Sequence, residues 1–328
     1  MLSMSPARAV ASARSFLVSR RRELTIVGLL WAAVVVQTGW FRRSSSVTVD
    51  ETFYLSVSLR SLRQGALDRQ FIRAGSAPLP MILNYFPLLF GDRAALAQDR
   101  SNPWSGMPGD ARLIAGPRLL NTLTSLVPLV GVVFFWLRAR RGLAAATFAA
   151  AVLAFSPSLL AHASLATTDM TFAFHVTLAV LVMGEYLRAP DRWRLLAVAL
   201  TTSLAVSSKY TGILLVPCFL LALAVRSRLR GLRPAIGFCV LTLILTWALH
   251  GFQVGGNGRL VRFPAGRTTV KVNPPGFVNA IRIQLRHNRG GHPAFLMGMR
   301  SPDGWWSYFP VTVVLKSTGP ELLLVLSA

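Results

Sequence analysis

The chain has 328 residues, 53% of them hydrophobic and only 14% charged, against roughly 25% charged in an average soluble domain. A mean hydropathy of +0.50 goes with a formal charge of +23, set by 35 basic and 12 acidic residues. Apolar blocks broken by arginine clusters exclude both an ordinary soluble enzyme and a disordered chain. The excess of basic residues reads as the positive-inside signal of a membrane protein rather than as a nucleic-acid footprint, so no nucleic-acid partner is expected.

Residues 1–23 read as a basic cytoplasmic N-terminus. Leu24 to Phe41 follows Arg20, Arg21 and Arg22 and has no small-residue cleavage site after Val36, which predicts an uncleaved first span. A polar stretch at about 42–112 is then the first outer loop. Within it, Pro78 to Phe90 is too short to cross and is expected at the interface. Leu113 to Leu137, Ala144 to His162 and Met170 to Leu187 are the next spans, with Arg138, Arg140, Arg141, Arg188, Arg192 and Arg194 marking inner ends.

Leu195 to Val225 is bounded by arginines on both sides. A single crossing would put one cluster outside, so the pattern predicts a hairpin of two short helices meeting at Ser208-Lys209-Tyr210. Each arm of about 15 residues rises ~22 Å, short of the ~30 Å hydrocarbon core, which leaves Lys209 slightly below the outer surface. Ala235 to His250 closes the core (24–250), and 251–304 forms a second outer loop. Trp305 to Leu326 reads as an eighth span with Trp305, Trp306 and Tyr308 as its interfacial belt. Lys316 lies deep in that span, where a bare charge is expensive. No arginine cluster closes the span, which suggests a piece of a longer protein. The expected fold is an all-α polytopic membrane protein of about eight transmembrane helices with two long extracytoplasmic loops.

Cys218 and Cys239 lie within apolar blocks and offer neither a disulfide framework nor a zinc spacing. Gly255-Gly256-Asn257-Gly258 lacks the strand-to-helix context of a phosphate loop. Among the acids, two contexts on the outer side are unusual. Asp50-Glu51 sits in a mostly apolar setting soon after the first span. Asp169 closes Leu165-Ala166-Thr167-Thr168 at the mouth of the third and fourth spans, where capping of the fourth helix is the competing role. Carboxylates at membrane depth mark function by default. With Lys209 on the same side, these groups suit transfer of a sugar from a polyprenyl phosphate. One carboxylate serves as base for the acceptor hydroxyl, and cations hold the phosphate as its charge develops. Arg118, in Gly116-Pro117-Arg118-Leu119, is a second candidate cation, with snorkelling to the interface as its alternative role. His162 and His292 could join Glu51 around a divalent cation, although no ligand spacing supports it. His175 and His250 read as packing or interfacial residues, and His287 as part of a basic face.

The residues resemble the membrane-embedded GT-C glycosyltransferases of the branch that includes protein O-mannosyltransferases and aminoarabinose transferases, glycosyltransferase family 39 and relatives. The matching pieces are Asp50-Glu51, Ala161-His162-Ala163-Ser164-Leu165-Ala166-Thr167-Thr168-Asp169, Ser208-Lys209-Tyr210-Thr211-Gly212, and Gly291-His292-Pro293-Ala294-Phe295-Leu296 with Gly304-Trp305-Trp306-Ser307-Tyr308-Phe309-Pro310. The resemblance implies a polyprenyl-phosphate-linked sugar donor, inversion at the anomeric carbon, and an envelope glycan, lipid or protein as acceptor. On it Asp50 maps to the base, Glu51 to a partner that orients the acceptor or helps hold a divalent cation, and Asp169 to the second acidic position. Lys209, Tyr210 and Arg118 are the expected donor-phosphate ligands. Many relatives carry an arginine shortly before the second aspartate, where this chain has His162 and Ser164. The alternatives are a transporter or lipid flippase, for which no repeated halves are visible, and a non-catalytic remnant. Arginine in preference to lysine suggests a GC-rich bacterial genome, and hence the bacterial inner membrane with its active face outside the cytoplasm.

Overall fold

The computed structural model describes residues 6–90, 102–106, 109–227, 232–254, 259–262, 269–272, 274–289 and 293–327. The chain is mostly helical. Helix α1 (Pro6–Ser44) leads into α2 (Val49–Gln64), α3 (Gln70–Arg73) and α4 (Leu79–Tyr85), the last continued by a 3-10 turn, Phe86–Phe90. Helix α5 (Asp110–Asn121), a π turn (Thr122–Leu126) and α6 (Val127–Arg141) form one long rod with Pro117 inside it. Proline has no N–H to give its helix, so the Leu113 carbonyl loses its partner within this rod. Then come α7 (Leu143–Phe155), α8 (Pro157–Ala163), α9 (Asp169–Arg188) and α10 (Arg192–Ser208). A 3-10 turn (Tyr210–Leu214) leads to α11 (Leu215–Ser227), followed by α12 (Leu232–Leu249). Two antiparallel hairpins, Arg259–Arg262 with Thr269–Val272 and Ala294–Leu296 with Met299–Ser301, flank α13 (Gly276–Arg289). Helices α14 (Tyr308–Lys316) and α15 (Gly319–Ser327) end the chain.

Among the described residues four helical stretches are long and apolar enough to cross a membrane: Arg20–Ser44, Asp110–Arg141, Asp169–Arg188 and Leu232–Leu249. The α7–α8 pair is a fifth if its 58° bend at Ser156 is taken as one broken span. Pro157 at the first helical position causes that break. Between 195 and 225 the chain forms two helices, α10 and α11, separated by Lys209 and the 3-10 turn. The described residues do not bear out eight continuous spans. The stretch expected as the last one is divided at Ser317, and α15 starts anew behind a Thr318–Glu321 box in which Glu321 Oε2 accepts the Thr318 N–H at 2.6 Å.

Packing follows small residues. Ala146, Ala150 and Ala154 form one buried face of α7 against α1 and α6. Gly131 lets Trp31 lie on α6, since a Cβ there would stand 2.9 Å from the indole. A second cluster joins α9 to α12 through Met183, Phe219 and Phe238. Arg138 pairs with Glu23 at 2.7 Å and Arg140 pairs with Glu185, so the middle of α1, around Glu23, and the ends of α6 and α9 meet at one end of the bundle. At the other end α2, α3 and α4 bury Phe53, Leu55, Phe71 and Tyr85 against Ile114 and Ala166. The segment Pro78–Phe90, expected to lie along an interface, is thus largely folded into protein, with Ile82, Phe86 and Phe90 exposed. Helix α13 closes the same end, setting Phe277 and Ala280 against Ala77, Val206 and Tyr210.

Candidate active site

The site begins where α2 begins. Thr48 is its N-cap: the hydroxyl accepts the Glu51 N–H at 3.4 Å, and Glu51 Oε2 accepts the Thr48 N–H at 3.0 Å. This reciprocal pair fixes the first turn and points successive side chains about 100° apart around the helix. Glu51 turns inward and Asp50 outward.

Glu51 is fully buried and every lone pair has company. Its Oε1 accepts from Arg118 Nε at 2.7 Å and from the Ala166 N–H at 2.9 Å; its Oε2 accepts from Arg118 Nη2 at 2.7 Å. Burial alone would raise the glutamate pKa, but the hydrogen bonds from Arg118, Ala166 and Thr48 outweigh it and hold the carboxyl below its ordinary value. Arg118 is 5% exposed. Besides Glu51 it reaches the carbonyls of Arg42 (3.3 Å), Ser45 (2.9 Å) and Ser46 (2.7 Å). A guanidinium has five N–H donors, and here all of them have acceptors. Neither residue therefore sits where it was expected. Arg118 is neither a snorkelling cation nor a free phosphate ligand, and Glu51 has no oxygen left for an acceptor or a cation. Together they tie the end of α1, the start of α2, α5 and the 164–168 loop into one knot.

That loop is held from a second side. Asn121 Nδ2 donates to the carbonyls of Leu165 (2.6 Å) and His162 (3.1 Å), while its Oδ1 accepts from Asn84 (3.2 Å) and Thr171 (3.1 Å). Tyr85 donates its hydroxyl to the Ala166 carbonyl at 3.1 Å. The loop delivers Asp169 as the first residue of α9. No side chain caps this helix, so the acid does not serve as its cap. Asp169 Oδ1 instead accepts from Lys209 Nζ at 2.7 Å, with His162 Nδ1 3.7 Å from Oδ2.

Lys209 stands at the hairpin tip in extended backbone, its N–H bonded to the Ala205 carbonyl and its own carbonyl accepting the Gly212 N–H at 2.9 Å. Gly212 makes the tight return possible. A Cβ there would fall 2.7 Å from the Ala205 carbonyl carbon.

Asp50, Asp169 and Lys209 line one cavity of about 210 Å³, with Tyr210 and Thr211 beside them. The Tyr210 hydroxyl, expected at the donor phosphate, is turned away to His250 Nε2, 3.1 Å distant. Asp50 is exposed to the cavity. Its carboxyl is pushed above the ordinary aspartate value, first by partial withdrawal from water, then by the Asp169 charge, against the opposing pull of Lys209.

Several lining residues escaped the sequence analysis. Tyr54, one turn on from Asp50, is hydrogen-bonded to Thr168 and Ser76 and pushed up to about 12, chiefly by burial. Gln284 enters from α13, packed over Gly75, where a Cβ would lie 3.1 Å from its Oε1. An i+4 spacing from Asp50 could have signalled Tyr54; nothing local could have signalled Gln284. The Gly291–His292 part of the fourth matching motif lies outside the described residues. Among the described residues no group of three or more His, Cys, Asp or Glu side chains gathers as a metal site. The charge of Asp169 is met by the Lys209 ammonium, and Glu51 is saturated.

Residues 108–248 match the family model described as dolichyl-phosphate-mannose-protein mannosyltransferase, a GT-C glycosyltransferase family. The match includes Arg118, Asp169, Lys209 and Tyr210 and stops short of Asp50 and Glu51. No curated protein matches the chain. The family match together with the apolar helices supports a membrane glycosyltransferase that uses a prenyl-phosphate sugar donor.

Proposed function

We propose that the chain transfers a sugar from a polyprenyl phosphate to the hydroxyl of an extracytoplasmic acceptor, with inversion at the anomeric carbon and Asp50 as base. The observation that carries this reading is the convergence of Asp50, Asp169 and Lys209 on one cavity, from the starts of α2 and α9 and the turn after α10, far apart in sequence.

In the proposed step Asp50 takes the proton of the acceptor hydroxyl as the acceptor oxygen bonds to the anomeric carbon. The bond from that carbon to the phosphate oxygen breaks, and its electron pair leaves with the polyprenyl phosphate. Attack opposite the leaving group inverts the centre. The phosphate is a good leaving group and needs no general acid, unlike the sugar oxygen expelled by a glycosidase. A raised pKa suits Asp50 to the task, because a base is the more effective the closer its pKa comes to the working pH. Lys209 is the cation for the phosphate. In the structure its charge is met by Asp169, and the donor phosphodiester offers a second anion at the same place, whose negative charge grows as the bond to the anomeric carbon breaks. Asp169 then holds Lys209 ready before the donor binds and receives it again after product leaves. The acceptor is an envelope glycan, lipid or protein, and the setting is the bacterial inner membrane with the cavity facing outward.

The test supplies radiolabelled polyprenyl-phosphate sugars to membranes containing the chain and follows label into envelope acceptors. Transfer by the wild type that disappears in Asp50→Asn, at equal protein level, is the expected result. Transfer that survives the substitution removes Asp50 from the mechanism.

A further inference from the structure

The residues on either side of Lys209 share a feature that the proposed reaction does not use. Ser208 and Tyr210 are both buried, and the hydroxyl of each is hydrogen-bonded to a buried histidine. Ser208 Oγ lies 3.0 Å from His175 Nδ1 in α9, and Tyr210 Oη lies 3.1 Å from His250 Nε2 just beyond α12.

The proton inventory follows from the remaining contacts. His250 Nδ1 faces the Thr246 carbonyl at 2.7 Å, and a carbonyl only accepts, so Nδ1 carries the proton. In the neutral ring Nε2 is then bare and accepts the Tyr210 hydroxyl. His175 Nδ1 faces the Thr171 carbonyl at 2.8 Å and is likewise the donor, its single proton shared between that carbonyl and Ser208 Oγ. Ser208 Oγ donates to the Leu204 carbonyl at 2.8 Å, which leaves its lone pair to accept from His175. The direction of each hydroxyl–histidine bond is thus fixed, and reversing either would set donor against donor. The Tyr210 ring is further held by His250, with centroids 5.8 Å apart, and Phe277 of α13 lies against the other partner at 5.5 Å.

From this arrangement we infer that His175 and His250 are positioning residues for Lys209. They clamp the hairpin tip from both sides, so that its ammonium is aimed into the cavity instead of wandering on a flexible stem. Lysine is a point charge on four methylenes and brings no geometry of its own. A cation that must meet one phosphate oxygen needs its backbone fixed, and Gly212 alone fixes only the return of the chain. The inference rests on the reading of Lys209 as the phosphate ligand.

The experiment measures binding of undecaprenyl phosphate to the full chain in lipid nanodiscs, with intrinsic tryptophan fluorescence on heating as the check on folding. The variants are Tyr210→Phe, His250→Gln and Ser208→Ala, each in the wild-type and in the Lys209→Gln background. Removing one of these hydrogen bonds is expected to weaken binding about tenfold when Lys209 is present. Tyr210→Phe and His250→Gln combined should be no worse than either alone, since they break the same bond. In the Lys209→Gln background the same changes should leave the residual binding where it is. Equal losses in both backgrounds would mean a merely structural role and overturn the clamp. Wild-type affinity in Tyr210→Phe and Ser208→Ala, with binding lost in Lys209→Gln, would overturn the clamp and leave the phosphate reading standing. Unchanged binding in Lys209→Gln alone would overturn both.

Discussion

Asp50 and Glu51 are neighbours with the same functional group, and they live in opposite surroundings. Glu51 is sealed in protein, saturated with hydrogen bonds and held in its charged form. Asp50 looks into a cavity beside a second carboxylate and is drawn towards its protonated form. One helical residue of rotation separates a structural anion from a candidate base. The difference teaches that an acidic pair in a sequence is two sites, and that the partner charge decides which is which. Glu51 has a guanidinium to itself, whereas Asp50 shares Lys209 with Asp169.

The comparison breaks most visibly in Asp50→Asn. Removing a general base typically costs 10²–10⁴ in rate, so transfer should fall by about that factor. The unfolding midpoint should move little, because Asp50 is exposed. Glu51→Gln should do the reverse. It leaves the Arg118 charge buried and uncompensated, which costs about 3–5 kcal/mol of stability, read as a lower unfolding midpoint in detergent. A double replacement, Glu51→Leu with Arg118→Met, removes both charges and should recover much of that loss.

Acid separates the pair by sign. Glu51 has its pKa lowered by folding, so its contribution is complete above the unfolded value near 4.5 and disappears as pH falls through the lower folded value. Thermal midpoints should drop on that limb, and Glu51→Gln should flatten it. Asp50 is raised, so its base form fills in only as pH climbs above the ordinary value of 3.8, and the acid limb of kcat/KM should sit above that value. A limb lying below 3.8 would contradict the assignment. The smallest effect belongs to Thr48→Ala, which removes a cap worth about 1 kcal/mol. Its readout is a modest fall in midpoint with little change in transfer.

Legibility in the sequence followed the range of the forces involved. The tip at Lys209 could be read because arginines bracket the apolar stretch, and charge at a membrane is a strong local rule. The grouping of Asp50, Asp169 and Lys209 was reachable for the same reason. Arg118 was misjudged because its partner lies 67 residues away, and nothing in Gly116-Pro117-Arg118 announces it. Two cues were present and passed over. Thr48-Val49-Asp50-Glu51 and Thr318-Gly319-Pro320-Glu321 both spell a capping box, which marks a helix start. The first accounts for much of what Glu51 does, and the second divides the expected last span. Gln284 was out of reach, since only tertiary packing over Gly75 brings it to the cavity.

The Glu51–Arg118 knot also sets a schedule for biosynthesis. Residue 51 leaves the ribosome long before residue 118, and the N–H that completes its shell belongs to residue 166. Until then the carboxylate has only its own cap and water. The candidate base, fixed to the same turn, is therefore aligned late, after half the chain has been made and Arg118 has arrived. A membrane-inserted intermediate lacking those later residues would carry Asp50 on its capped turn without the contacts that hold that turn against α5 and the 164–168 loop. The knot serves as a latch that closes when the bundle around it is assembled.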